Sequence, residues 1–432
     1  MYLSLIIFVI VYIGIMTEKV NKSILALLGA FFVLVFKLVP YEHAMQSIDL
    51  NVIFLLVGMM ISVFVLSKTG FFEWTAISIA KAMKGNAIAI LLFLLIITGI
   101  FSAFLDNVTT IILLAPVTIL ITQLLELPCA PFLILEAIAS NLGGTATLIG
   151  DPPNILIGSE ANLSFNDFLV NLGPIVLFIF GCFILTNFFI FRKKFKVSQL
   201  IKTRVIDSIP KLAITDKKLM KKALCVFGLI LVGFFVHDLI GVKPGIIAMG
   251  GAVLMLLVAR SDGEENFKSV EWGVIFFFIG LFIMISALEY NGISQIMANK
   301  IMTISGGSLF LTCILILWGS AFASAVFDNI PFVITMLPLV QYIIIQYSNI
   351  LGVTDPSLIR MQIAAPLWWS LALGCCLGGN GTLIGTSANI VAVQIGAKNN
   401  VPISFAKFFR YGFSYMIQSI IIASIFIWLR YF

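Results

Sequence analysis

Residues 141–154 read NLGGTATLIGDPPN, and this polar stretch lies inside an apolar segment long enough to span a membrane. Glycine lowers helix propensity, and proline lacks an N–H group and clashes with the preceding helical turn. The stretch therefore predicts a helix that breaks and leaves backbone groups unpaired. Hydrocarbon tolerates such a break only where it is buried in protein or lines a watery cavity. It indicates either a substrate or ion site or a packing defect.

The composition of the chain is that of a polytopic membrane protein. Hydrophobic residues make up 61% of the 432 residues and charged residues only 11%, with a mean hydropathy of +1.13. A soluble domain carries about 25% charged residues. The lipid bilayer is thus the predicted environment. The net charge of +6 comes from residues in predicted loops between spans, so no nucleic-acid partner is expected.

The sequence predicts no cofactor and no enzyme centre. Its six cysteines show no CxxC spacing, which argues against disulfides and structural metal sites. Cys375 and Cys376 precede the second break, and we interpret them as small buried residues because neighbouring helical residues point about 100° apart. His43 and His237 fall in predicted loops. No Walker A motif is present, although a soluble ATPase subunit stays open as a partner.

Apolar runs indicate where the elements of the first half lie. The segment at residues 86–125 is interrupted by the polar motif SAFLDNVTT at 102–110, which predicts two half-length helices that meet at a tip, a re-entrant hairpin. An amphipathic piece is expected at residues 71–84. The predicted spans of this half are residues 2–17, 22–39, 50–67, 131–158 and 169–191.

The second half of the chain repeats the first. One constant shift, the hairpin alignment, brings SAFLDN at 102–107 onto SAVFDN at 324–329. A slightly larger shift, the break alignment, brings LGGTATLIG at 142–150 onto LGGNGTLIG at 377–385. We predict an all-α membrane protein of about ten spans and two hairpins, in which each repeat has five transmembrane helices (one broken) and one re-entrant hairpin. The predicted boundaries are a first repeat at 1–191, a basic linker at 192–222 and a second repeat at 223–432.

The charge distribution predicts the topology. An odd number of spans in each repeat inverts the second repeat relative to the first. The linker has eleven Lys and Arg against two Asp, which predicts a cytoplasmic location by the positive-inside rule. This arrangement puts 21 of the 26 Lys and Arg on the cytoplasmic side and both termini outside the cytoplasm. We expect a multi-pass protein of the plasma (inner) membrane.

Each predicted hairpin tip carries an Asp-Asn pair near the bilayer midplane, where a charge costs roughly 2.5–3.5 kcal/mol on insertion scales. Chains keep such residues to bind an ion, relay a proton or pair with a partner, and no Lys or Arg lies within the same spans. The alternative is that each Asp caps a half-helix. No structural metal site is predicted, and Na⁺ is a candidate ion at Asp106/Asn107 and Asp328/Asn329. The proton-coupling candidates are Asp106, Asp328, Asp151 and Glu136.

The broken helices provide glycines that let the backbone approach a ligand, together with hydroxyl and amide groups to bind it. Small-residue helix packing is the alternative, but it does not explain residues 151–154. The first-half candidates for substrate or ion binding are Asp106, Asn107, Thr109, Asn141, Gly143, Gly144, Thr145, Thr147, Asp151 and Asn154. The second-half candidates are Asp328, Asn329, Gly378, Gly379, Asn380, Thr382, Thr386, Ser387 and Asn389.

These paired motifs, SAFLDNVTT, SNLGGTATLIGDPPNI, SAFASAVFDNIP and LGGNGTLIGTSANI, resemble those of the ion transporter superfamily over essentially the whole chain. The resemblance is nearest to the branch of arsenite efflux pumps (ArsB-like), Na⁺/H⁺ antiporters (NhaD-like) and the melanosomal P protein. It implies a homodimer and an elevator mechanism, in which the hairpins and broken helices move as a unit against a scaffold made of the early spans.

The motifs also depart from the related sodium–dicarboxylate symporters, which have Ser-Asn-Thr at the hairpin tips. Here Asp106 and Asp328 replace the serine, and Val108 and Ile330 replace the threonine. Fixed carboxylates repel a dianion, so the departure favours a cation or a neutral solute. Because LGGNGT at 377–382 is similar to the arsenite-pump pattern, we predict proton-coupled efflux of arsenite or antimonite. The alternatives are Na⁺(Li⁺)/H⁺ antiport and, less favoured, a sodium-coupled di- or tricarboxylate transporter or a channel.

Overall fold

A computed structural model describes residues 2–16, 20–195, 197, 207, 209–260 and 263–432. Regular structure in these residues is helical throughout, with one short 3-10 helix at Pro210–Ala213. Lys196, Lys202 and Arg204 of the predicted linker lie outside the described residues. The first-half helices are α1 (Tyr2–Met16), α2 (Lys22–Val35), α3 (Tyr41–Gln46), α4 (Leu50–Ser67), α5 (Phe71–Ala82), α6 (Ala87–Phe104), α7 (Asn107–Leu124), α8 (Cys129–Gly144), α9 (Pro152–Glu160), α10 (Phe165–Asn171) and α11 (Gly173–Phe191).

The second half repeats this order with one helix fewer, because the single helix Phe405–Tyr431 stands where the first half has α10 and α11. The broken helix of the second half differs in one respect, because residues Ile359–Ala364 form a π-helical segment near its start. The helices are α12 (Lys217–Val236), α13 (Pro244–Ala259), α14 (Gly263–Lys268), α15 (Trp272–Tyr290), α16 (Ile293–Ile304), α17 (Leu309–Val326), α18 (Asn329–Leu351), α19 (Pro356–Gly378), α20 (Ser387–Lys398) and α21 (Phe405–Tyr431).

The helices confirm a polytopic membrane protein. Within the described residues, ten helices are long and apolar enough to cross a membrane. Four of the ten are hairpin arms, whereas the predicted spans α1, α2, α8 and α13 are shorter, at 14 to 16 residues. The inverted orientation of the halves and the cytoplasmic linker stay predictions.

Two glycines let the early spans of the two halves cross closely. The helix α4 packs on α13, and α2 packs on α15. A Cβ on Gly58 would lie 2.5 Å from the carbonyl carbon of Ala248, and a Cβ on Gly280 would lie 2.6 Å from that of Ala26. The hairpin alignment relates the two glycines to each other, and likewise the two alanines. The same backbone crossing therefore occurs twice.

The hairpins and broken helices interlock between the halves. The arm α7 of the first hairpin packs on α20 of the second broken helix, and α9 of the first broken helix packs on the arm α18. The arms α6 and α7 have 18 residues each, about 27 Å at 1.5 Å per residue. The prediction of half-length arms was therefore wrong, because the polar motif ends one helix and starts the next without shortening either.

Candidate functional site

Aspartates start the second arm of both hairpins. The Asp106 carboxylate accepts hydrogen bonds from the Thr109 backbone N–H at 2.8 Å and the Thr109 hydroxyl at 2.5 Å, and so caps α7. Asp328 caps α18 through the Ile330 N–H at 3.3 Å. The capping alternative is thus part of the structure. It uses both Asp106 oxygens but only one oxygen of Asp328.

The two broken helices are held open in the same way. The α8–α9 break covers residues 145–151, and the Asn154 amide donates to the carbonyls of Thr145 and Thr147 at 3.2 and 2.9 Å. At the α19–α20 break, the Asn389 amide donates to the carbonyls of Gly379 and Thr382, both at 2.9 Å. An asparagine in the first turn of the following helix therefore satisfies carbonyls that the break leaves unpaired, which a membrane requires.

Several predicted ligands join the breaks to the hairpins. Thr147 donates its hydroxyl hydrogen to the carbonyl of Ala103. Thr382 does the same to Ala325, at 2.5 Å. The Thr145 hydroxyl donates to the carbonyl of Asn141 in its own helix at 2.7 Å. In the described state these hydroxyl hydrogens are engaged by the protein, and those of Thr147 and Thr382 hold each hairpin against the broken helix of its own half.

The predicted glycines are sites of close backbone approach. A Cβ on Gly143 would lie 2.1 Å from the carbonyl oxygen of Gly99, and one on Gly378 would lie 2.5 Å from Ala321. On Gly144 it would lie 2.4 Å from the carbonyl oxygen of Gly150, and on Gly379 it would lie 2.2 Å from the Thr386 methyl group. The glycines thus give the packing that brings the hairpin against the break, as the small-residue alternative proposes.

Asp151 lies where both hairpin tips converge. Its side chain is fully buried, and its Oδ1 accepts from the Asn107 amide at 3.2 Å and from the Asn329 amide at 3.4 Å. Its Oδ2 is buried and has no hydrogen-bond partner in the described residues. Within that part of the chain no lysine or arginine forms an ion pair with Asp151. A buried, unpaired carboxylate is costly, so Asp151 is expected to bind a proton or a cation.

Asn141 connects this carboxylate to the second break. Its amide nitrogen donates to the side-chain oxygens of Asn380 and Asn389, both at 3.0 Å, and to that of Thr386 at 3.2 Å. Its own oxygen accepts from the Asn107 amide at 3.1 Å. The Nδ2 group of Asn380 is buried and has no partner in the described residues. A network of side-chain amides thus runs from Asp151 through Asn107 and Asn141 to Asn380. It ends at the Nδ2 group of Asn380, which has no acceptor in the described residues.

Lys22 is the site residue that sequence reasoning missed. Its Nζ lies 2.7 Å from Oδ2 of Asp328 and 3.0 Å from the hydroxyl oxygen of Ser387. No Lys or Arg lies within the hairpin arms themselves, and the partner of Asp328 comes from a different helix, α2. Lys22 starts α2, 306 residues away, and no local pattern links it to the hairpin.

Glu136 lies apart from these contacts, whereas Cys376 lies beside Asp151 and Asn154. Glu136 is buried on α8, with one oxygen 2.5 Å from the Thr118 hydroxyl and the other without a partner among the described residues. Cys375 and Cys376 are buried, and the Cys376 thiol donates to the Asn154 oxygen at 3.4 Å. No group of three or more His, Cys, Asp or Glu side chains suited to a metal occurs among the described residues.

Comparison with known proteins places this architecture among transporters. The family model described as "Citrate transporter" matches residues 12–374. The chain is 39% identical to the 46 kDa membrane protein of Mycobacterium leprae, over 99% of this chain and 98% of that protein. It is 40% identical to an uncharacterized transporter of Mycobacterium tuberculosis, over 99% and 97% of the two chains. It is 32% identical to the P protein of Homo sapiens, over 95% of this chain and 57% of that longer protein.

These similarities bear out the superfamily and the transporter class that the motifs predict. Relatives with such names are transporters rather than enzymes, in agreement with the expectation that the chain is not an enzyme. The narrower assignment to the arsenite and sodium-antiporter branch stays a prediction. The chain belongs to the citrate transporter family of membrane transporters, within the ion transporter superfamily.

Proposed function

We propose that the protein is a secondary active transporter that exchanges Na⁺ or Li⁺ for protons at Asp151. The observation that carries this proposal is the buried Asp151 carboxylate, which has one oxygen without a partner and no ion pair in the described part of the chain. A proton and a hard monovalent cation compete for such a group. Amide oxygens nearby, such as that of Asn141, are suitable further ligands.

The charges around the site favour a cation over an anion. Asp106 and Asp328 are at the hairpin tips and Asp151 is between them, whereas Lys22 is the basic residue paired with one of the three. Citrate and other carboxylates would meet a net negative site, which disfavours them unless a cation accompanies them. The family description alone therefore does not decide the substrate.

Two cavities at opposite ends of α15 are the proposed access paths, and neither is lined by Asp151 in the described state. One of about 420 Å³ lies at the start of α2 and α15 and reaches Asp328 and Ser387. Another of about 680 Å³ lies at the opposite end of α15, beside Glu289. In the predicted topology the first cavity opens to the cytoplasm. A homodimer, an elevator motion and the plasma membrane location belong to this proposal, and an ATPase partner is not needed by it.

Arsenite efflux is the second candidate, and the free Nδ2 donor of Asn380 is the observation that favours it. Arsenite is a neutral trihydroxide at neutral pH. Asn380 would donate to one hydroxyl, and Thr386 lies in the same network to bind another. In this case the proton at Asp151 would drive the exchange.

Everted membrane vesicles with an imposed pH gradient and a pH-sensitive dye test both candidates. We expect Na⁺ or Li⁺ to dissipate the gradient and arsenite, antimonite and citrate to leave it unchanged. Vesicles with Asp151→Asn should give no response, whereas the exposed control Asp238→Asn should respond like the wild type. A gradient that survives Na⁺ and Li⁺ but collapses with arsenite would replace the first candidate with the second.

A further inference from the structure

The ammonium group of Lys22 lies in a set of partners that resembles the site of a monovalent cation. Nζ contacts a carboxylate oxygen of Asp328 at 2.7 Å and the hydroxyl oxygen of Ser387 at 3.0 Å. The ring of Phe277 lies 5.1 Å away, in cation–π range. The hydroxyl oxygen of Ser387 is also 3.5 Å from the same Asp328 oxygen. Two oxygens and a ring face therefore surround one positive charge.

These partners come from different parts of the fold. Lys22 is the first residue of α2 and Phe277 lies on α15, both in the pair of early spans that pack together. Asp328 is at the second hairpin tip, and Ser387 is the first residue of α20. The side chains of Lys22 and Asp328 are 30% and 14% exposed, and they line the cavity of about 420 Å³ together with Glu271. A small cation from solution therefore has a path to this position.

The repeat-related position at the first hairpin tip lacks every component of this arrangement except the aspartate. In the hairpin alignment, Lys22 corresponds to Pro244 and Phe277 to Leu55. In the break alignment, Ser387 corresponds to Pro152. Proline has no side-chain group that donates or accepts a hydrogen bond. Among the described residues Asp106 at the first hairpin tip forms no ion pair, and the first break has Asp151 where the second break has Thr386.

We propose that Lys22 is a tethered cation that permanently occupies a monovalent-cation site at the second hairpin tip. It neutralises Asp328, so the mobile cation is left to the first-half carboxylate Asp151. This sets the number of exchangeable cations at one for each protomer. The inference deepens the proposed function and rests on it for the identity of the mobile cation. The role of Lys22 is tested separately, by the difference in bound Na⁺ between the Lys22→Ala variant and the wild type.

The test is equilibrium binding of radioactive Na⁺ to the purified full-length protein in nanodiscs. Lys22→Ala removes the ammonium and leaves space between Asp328 and Ser387. We expect this variant to bind one Na⁺ more for each protomer than the wild type. Lys22→Arg keeps a positive charge and should bind the wild-type number. The double variant Lys22→Ala with Asp328→Asn removes both charges and should also return to the wild-type number.

Equal Na⁺ binding by Lys22→Ala and the wild type would overturn the inference and make the ion pair a structural contact only. Wild-type protein that binds no Na⁺ would instead contradict Na⁺ exchange at Asp151, while the extra ion in Lys22→Ala would still support the tethered cation. If Lys22→Ala is unstable, its thermal unfolding is compared in sodium chloride and choline chloride. A larger Na⁺-dependent rise in the midpoint than in the wild type supports the proposal, and an equal rise contradicts it.

Discussion

Asp151→Asn changes the charge of the central carboxylate while it keeps its shape. In the wild type, Oδ1 of Asp151 accepts from the amides of Asn107 and Asn329, and a carboxamide oxygen at the same position accepts both bonds. The new NH₂ group takes the place of Oδ2, which has no partner in the described residues. The substitution therefore exchanges a buried charge for a buried unpaired donor.

The change in stability of Asp151→Asn follows from the lost charge and the new unpaired donor. Loss of a charge near the bilayer centre favours the variant by at most roughly 2.5–3.5 kcal/mol on insertion scales, and by less where a proton already neutralises Asp151. An unsatisfied buried donor costs about 1–3 kcal/mol. In the absence of Na⁺, Asp151→Asn should therefore be as stable as the wild type or more stable. At a Na⁺ concentration about 100 times its dissociation constant, cation binding stabilises the wild type by about 2.7 kcal/mol. The order of stability should then reverse.

The assay is thermal or denaturant unfolding of purified protein in choline chloride and in sodium chloride at equal ionic strength. Asp238→Asn makes the same charge change at an exposed position and should respond to Na⁺ like the wild type. The reversal of order is the diagnostic result, because nonspecific salt effects act on all three proteins. If Na⁺ stabilises Asp151→Asn as much as the wild type, Asp151 is not the cation ligand.

Three further substitutions test the surroundings of this carboxylate. Gly143→Ala puts a Cβ 2.1 Å from the carbonyl oxygen of Gly99, which should destabilise the protein by about 1–3 kcal/mol in unfolding assays; Gly181→Ala, with open space around it, should have no effect. Asn141→Ala leaves its buried partners unsatisfied at about 1–3 kcal/mol and should abolish exchange in vesicles, so full exchange would contradict the network. Glu136→Gln should keep exchange, because Glu136 has no contact with that network; lost exchange in well-folded protein would make it a proton carrier.

The sequence alone determined the helices and their breaks, because hydropathy and backbone propensity are set by residues that are close together in the chain. Pro152 and the glycines of residues 141–154 located the break, and Asp106 located the turn between α6 and α7. The constant shifts between the halves predicted a second hairpin and a second broken helix, and both occur there. The length of the hairpin arms was predicted wrongly, since the polar motif shows where a helix ends but not how far it extends.

Only the tertiary structure decided what each polar side chain contacts. From the sequence alone, the hydroxyl of Thr147 and the amide of Asn154 are both suited to bind a substrate or an ion. In the fold they instead donate hydrogen bonds to backbone carbonyls of the hairpin and the break. The convergence of both hairpin tips on Asp151 depends on the packing of α9 against α18, an arm of the other half. The pairing of Lys22 with Asp328 joins residues 306 positions apart. Electrostatic and hydrogen-bond partners follow from distance in space, which local sequence does not encode.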